Sequence, residues 1–115
     1  MTLTALPHRF LQKLVTSMSP AEQVTVTDPL GVIKEITLFN PNSSTTKVSL
    51  WVVPQEETLQ DKHLVLNQIP VIGYETKIFS DMTMTLTTGD RIAMSTTSPV
   101  ATTLSGARFF PVTTE

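Results

Sequence analysis

The sequence predicts an all-β fold: a single antiparallel β-sandwich, jelly-roll or Ig-like, of about eight or nine strands with an N-terminal arm. Three observations carry this expectation. Apolar residues recur at every second position in a series of short runs, which is the period of a strand with one face on a core. Pro, Gly, Asn, Asp and Ser stand between the runs and supply turn chemistry. No segment sustains the spacing of a long amphipathic helix.

The densest run spans Val32 to Pro54. Ile36 and Leu38 alternate with Glu35, Thr37 and Phe39; after the polar loop Pro41 to Thr46, Val48, Leu50 and Val52 alternate with Lys47, Ser49, Trp51 and Val53. Asn40, Pro41 and Asn42 favour a turn through a fixed φ and local side-chain hydrogen bonds, so the two halves are expected to pair as a hairpin.

Ahead of this stretch, Leu6, Phe10, Leu14 and Met18 recur at i, i+4 after Pro7, a spacing that admits a short helix. A strand over Lys13 to Ser17, ended by Ser19-Pro20, fits better. Residues 1–12 are therefore set apart as an N-terminal arm or extension, with Met1 to Arg9 expected to be flexible or swapped, and residues 13–115 as the sandwich domain. Gln23 to Thr27 alternates as a short strand, closed by Asp28-Pro29 and by Gly31, where the next strand can begin at a sharp bend.

Beyond the central run, Gln55 to Lys62 is polar with a single Leu59 and reads as a loop with room for a helical turn. His63 to Ile69 resumes the alternation, and Pro70 and Gly73 break or bulge any strand that continues to Ile72. Tyr74, Thr76 and Ile78 oppose Glu75, Lys77 and Phe79; Met82, Met84 and Leu86 oppose three threonines. Thr88-Gly89-Asp90 then turns into Arg91 to Ser95, a second expected hairpin. Val100, Thr102 and Leu104 make another strand, Ser105-Gly106 a bulge or bend, and Ala107 to Val112 a last strand with Phe109 and Phe110 on opposite faces.

Composition excludes several function classes. The 115 residues include no cysteine, which removes disulfides, thiolate metal sites and a cysteine nucleophile. The net charge is −2 with basic residues scattered, so there is no electrostatic footprint for nucleic acid. The N-terminus has neither a basic leader nor a long apolar run, and no stretch approaches bilayer-spanning length, so a soluble chain outside the secretion route and away from membranes is expected.

The same search finds little catalytic chemistry. His8 and His63 belong to no spaced pair, Asp81 and Asp90 sit at turns, and Gly31 and Gly89 lack the companions of a phosphate loop. No serine lies in a nucleophile elbow. The expectation is a non-enzyme with no catalytic residues, metal or cofactor. Met82, Met84 and Met94 read as core filling.

Trp51 keeps more than one reading. Its parity sets it on the face of Val53, shared with Phe39 of the partner strand. That face is either covered by the arm or the long loop, or it meets another subunit. The candidate interface residues are Phe10, Phe39, Trp51, Val53, Phe109 and Phe110. As a third reading, Trp51 and Tyr74 are candidate glycan-binding residues.

Several segments together resemble small virion proteins of tailed bacteriophages. They are Val32 to Asn40, the Ser/Thr loop Asn42 to Thr46, Val48 to Pro54, Leu86 to Ile92 with its Gly-Asp turn, and Leu104-Ser105-Gly106. The ending Ala-Arg-Phe-Phe-Pro departs from that pattern, and the N-terminal arm is longer than the sandwich needs. The resemblance implies a β-sandwich similar to the shoulder modules of phage receptor-binding proteins, working as a structural protein of the tail, baseplate or capsid surface. It further implies a viral protein made in the bacterial host cytoplasm and built into the virion, self-assembled as a trimer or hexamer beside other virion proteins. The alternative function is a receptor-binding module that recognises a host-surface carbohydrate.

Overall fold

The computed structural model of the chain describes residues 2–112. Among them are nine strands: β1 (Thr2–Val15), β2 (Ala21–Thr25), β3 (Leu30–Phe39), β4 (Thr46–Val53), β5 (Leu64–Val71), β6 (Thr76–Phe79), β7 (Met84–Thr87), β8 (Arg91–Thr96) and β9 (Val100–Val112). A 3-10 turn at Asp61–His63 lies between β4 and β5. The strands form two antiparallel sheets packed face to face. Sheet A has the order β1-β9-β3-β6, with β7 also paired to β3; sheet B has the order β2-β8-β4-β5.

β6 and β7 pair with opposite ends of β3, at Ile36 to Phe39 and Leu30 to Ile33 respectively, while β9 takes the other edge. Together they act as one strand interrupted at Asp81, whose φ of 59° turns the chain aside. Counted so, eight strands stand as 1-9-3-6/7 against 2-8-4-5, and most successive strands alternate between sheets. That is the order of a jelly roll. It resolves the expectation against the Ig-like arrangement, in which the first two strands share a sheet.

Both expected hairpins are corrected by this topology. Among the described residues β3 pairs only with β6, β7 and β9, and β4 only with β5 and β8; the turn at Asn40 to Thr45 thus carries the chain from one sheet to the other. The turn at Thr88-Gly89-Asp90 likewise joins β7 in sheet A to β8 in sheet B. Period-two patterning identifies the buried face of a strand and is silent about its edge partner. The two densest runs therefore meet through their side chains across the core.

The core holds Ile33, Ile36 and Leu38 from β3, Val48 and Leu50 from β4, and Ile92, Met94, Val100 and Leu104 from β8 and β9, all fully buried. Ile33 and Ile36 can both point inward because β3 bulges between Ile33 and Glu35. The extra residue, Lys34, resets the parity and re-aims the second half of the strand.

The boundary expected at residue 12 has no counterpart in sheet A. Residues 2–15 run as one strand along β9, and Phe10 and Leu11 lie in the core. A bulge between Arg9 and Leu11 turns both side chains inward. Beyond the start of β3, Thr2 to Thr4 and Phe110 to Val112 continue as a two-stranded ribbon. Gly31 lies within β3 instead of bending its start, and Phe10 packs against it. On the edge strand β1, Lys13 shares the inward register of buried Thr102 yet remains exposed, the kind of charge that discourages edge-to-edge pairing.

Candidate functional site

No described residue covers the outward face of sheet A, and the register defines that face row by row. Leu14, Ala101, Phe39 and Thr76 form one row across β1, β9, β3 and β6. Gln12, Thr103, Thr37 and Ile78 form the next. Arg9, Ser105 and Glu35 follow, then Pro7, Ala107, Val32 and Thr85, then Ala5, Phe109, Leu30 and Thr87. Leu14 is 50% exposed and Ile78 57%, large values for apolar side chains on a sheet. Arg9 and Glu35 stand on either side of Ser105, and the bulge residue Lys34 is exposed beside them in the same depression.

Sheet B carries a trough on its outward face. Ser49 pairs with Ser95 and Trp51 with Ala93, and just beyond the paired strands the Thr97 amide donates to the Lys47 carbonyl at 3.1 Å, so small side chains make a floor beside a large indole. The trough has a volume of about 470 Å³, and Met18 and Pro20 also line it. On the β5 side the strand register slips opposite Leu50, and Gln68 adopts a φ of 46°. The Gln68 amide donates to Ser49 Oγ at 2.9 Å, which holds the bulge against the floor. Asn67 and Gln68 form this wall, with Leu64 and Asp61 near the indole.

The long loop after β4 covers the rest of this face. Arg91 Nη2 donates to the Pro54 carbonyl at 3.0 Å and also to the Glu57 carbonyl. His63 is buried, accepts at Nδ1 from the Gln60 amide at 3.0 Å and faces Glu57 Oε1 with Nε2 at 3.2 Å. Lys62 Nζ lies 2.9 Å from the same carboxylate oxygen. The Lys62 hydrogen bond, followed by that of His63, holds the Glu57 carboxyl below its ordinary value.

These placements sort the candidate residues. Phe39 and Phe109 share the outward face of sheet A. Phe10 is in the core, and Val53 is 2% exposed, so neither is available to another subunit: the strand bulge drew one inward, and the other is buried on the loop-covered part of sheet B. Phe110 pairs with Thr4 on the inward side of the β1–β9 ribbon, where the Arg108 guanidinium lies 5.8 Å from its ring centroid. Trp51 is on sheet B, so it shares no face with Phe39, contrary to the parity argument; the hairpin that would have joined them is absent. Tyr74 is 68% exposed in the β5–β6 loop, with its amide bonded to the Asn40 carbonyl, and is not part of the trough. Trp51 pairs near Leu64 at one end of β5, whereas Thr46 pairs with Val71 at the other, so the two aromatic candidates stand at opposite ends of the sheet.

Ser49, Ser95 and Gln68 were not singled out by the sequence. Their signal, two small hydroxyl residues beside an outward Trp, acquires meaning only once β4 and β8 are known to be neighbours. Among the described residues no group of three or more His, Asp or Glu side chains could hold a metal ion. His8 and Arg108 instead converge on Asp28, at 3.6 and 3.5 Å, tying β1 and β9 to the turn before β3. No described helix is long and apolar enough to cross a membrane.

The fold defines the chain as a jelly-roll β-sandwich with an open face on one sheet and a polar trough on the other. No family model, curated protein or solved structure matches it in comparison.

Proposed function

We propose that this chain is a non-enzymatic structural component of a bacteriophage virion, assembled with copies of itself through the outward face of sheet A. The observation that carries the reading is the composition of that face: Leu14, Phe39, Ile78, Val32, Leu30 and Phe109 stand on it, among threonines and alanines. Exposed apolar surface of this extent is characteristic of interaction sites. The occupant is a second copy because the face carries charges of both signs, Arg9 and Lys34 against Glu35. Arg9 on β1 and Glu35 on β3 flank Ser105, so two faces related by symmetry can set each Arg9 against the other copy's Glu35. The jelly-roll order, used by viral capsid domains among others, and the resemblance of the central segments to small virion proteins support the setting.

Light scattering over a range of concentration and salt tests the assembly. A closed dimer, or a hexamer of three such pairs, that persists on dilution and that Phe39→Asp breaks apart is the expected result; a trimer has no twofold axis and rejects pairing through this face. A 12.7 kDa monomer at the highest concentration overturns it. Mass spectrometry of purified particles of the encoding phage tests the virion setting, and absence of the chain from them rejects it.

A further inference from the structure

We propose that the trough on the outward face of sheet B binds a neutral saccharide, with the Trp51 indole as its stacking platform. The inference does not rest on the assembly reading, which concerns the opposite sheet.

A trough exists because side-chain size changes abruptly along β4 and β8. Ser49 and Ser95 are paired neighbours, and the next outward pair is Trp51 and Ala93. The indole is partly exposed, and the depression beside it is deepened by the bulge at Gln68 and by the Met18–Pro20 segment. Its volume of about 470 Å³ falls within the range of about 300–1,000 Å³ typical of small-ligand sites.

The lining selects the class of ligand. Lys47 and Asp61 contribute one charge of each sign, so no net field favours a phosphate or a cation. The remaining polar groups are amides and hydroxyls. Asn67 and Gln68 are exposed, and an amide offers both a donor and an acceptor. Ser49 and Thr97 each accept a backbone amide, from Gln68 at 2.9 Å and from Lys47 at 3.0 Å, which fixes the two hydroxyl oxygens in place. A sugar ring presents the counterpart: an apolar C–H face for the indole and a rim of hydroxyls that donate and accept. An apolar peptide anchor would find a serine floor in place of a hydrophobic pocket.

The chain has a single tryptophan, so its emission reports on this trough alone. The test titrates the full chain with methyl glycosides of glucose, galactose, mannose, rhamnose and N-acetylglucosamine, and with their disaccharides. A saturable change in emission with at least one probe is expected, and no saturable change with any of them overturns the proposal. Trp51→Phe, followed by amide NMR shifts, should weaken binding roughly tenfold, the equivalent of one stacking contact. Asn67→Ala alters only an exposed side chain, so its fold is retained, and it should weaken binding several-fold with the same unfolding midpoint. Binding left intact by both substitutions would place the saccharide elsewhere and reject the trough. Light scattering on the same samples should give an unchanged mass, which separates this result from any outcome of the assembly test.

Discussion

The Phe10 ring fills the space above Gly31: a β-carbon on Gly31 would stand 2.7 Å from Phe10 Cζ. Gly106 is tighter still, because its β-carbon would meet the Val32 carbonyl oxygen at 1.9 Å. The two obstacles differ in kind. An aromatic ring can tilt, whereas the Val32 carbonyl belongs to β3 at its bulge and cannot retreat without parting β3 from β9. Gly31→Ala should therefore cost about 1 kcal/mol and Gly106→Ala about 3 kcal/mol or more. Urea unfolding midpoints check the order. A Phe10→Leu background should shrink the Gly31→Ala cost and leave that of Gly106→Ala unchanged.

Asn40 is fully buried, and its carboxamide is satisfied on both sides. Nδ2 donates to the carbonyls of Ser44 and Val71 at 2.8 and 2.9 Å, while Oδ1 accepts from the Asn42 amide at 2.9 Å. This one side chain holds the β3–β4 connection against the end of β5. Asn40→Asp keeps the shape but turns an oxygen toward two carbonyl oxygens, so a loss of about 3 kcal/mol or more is expected at neutral pH. Burial and those carbonyls raise the folded-state pKa of the new carboxyl. The penalty should then shrink as pH falls through that raised value, since the protonated acid can donate to one carbonyl. A penalty equal at pH 7 and pH 5 would contradict this account.

Much of the sandwich was legible in the sequence because strand alternation is a local property. Ile36, Leu38, Val48 and Leu50 were identified as inward from period alone, and all four are fully buried. Partner choice is nonlocal, so Asn40 to Thr45 and Thr88 to Asp90 read as hairpin turns when they are crossings between sheets. The bulges at Phe10 and Lys34 were hidden for a related reason: an extra residue is defined against the neighbouring β9, not within its own strand. Phe10 consequently looked like part of an arm. For the trough, Trp51 was visible and its setting was not, because Ser49 and Ser95 become neighbours only in the folded sheet.

Arg91 is the clasp of the long loop, donating from Nη2 to the carbonyls of Pro54 and Glu57. A lysine ammonium has donors enough for both carbonyls, but it ends one bond short of Nη2 and cannot reach that position. Arg91→Lys should free residues 54–63 while leaving the sheets paired, at a cost of about 1–3 kcal/mol. Amide hydrogen exchange should quicken at Glu57 and His63, whose amides bond to the Pro54 and Gln60 carbonyls, and stay unchanged at Leu50 and Met94. Equal protection of Glu57 and His63 in both proteins would show that the loop is held by something else.

Glu57 makes the same loop sensitive to acid. Its carboxyl is held below the ordinary value of 4.5 chiefly by the hydrogen bond from Lys62, and next by that from His63. A carboxyl whose pKa is depressed in the folded state stabilises the fold above the unfolded-state value. That contribution is lost as pH falls through the depressed value. Glu57→Gln removes the titration, so the stability difference between native and variant protein should be constant above about pH 5 and should close below about pH 4. Urea midpoints collected across that window measure it, and a difference that persists undiminished at the lowest pH would mean that Glu57 acts through its shape alone. The effect should also fade with added salt, because Glu57 and Lys62 both remain partly exposed, at 38% and 63% of their side-chain surface.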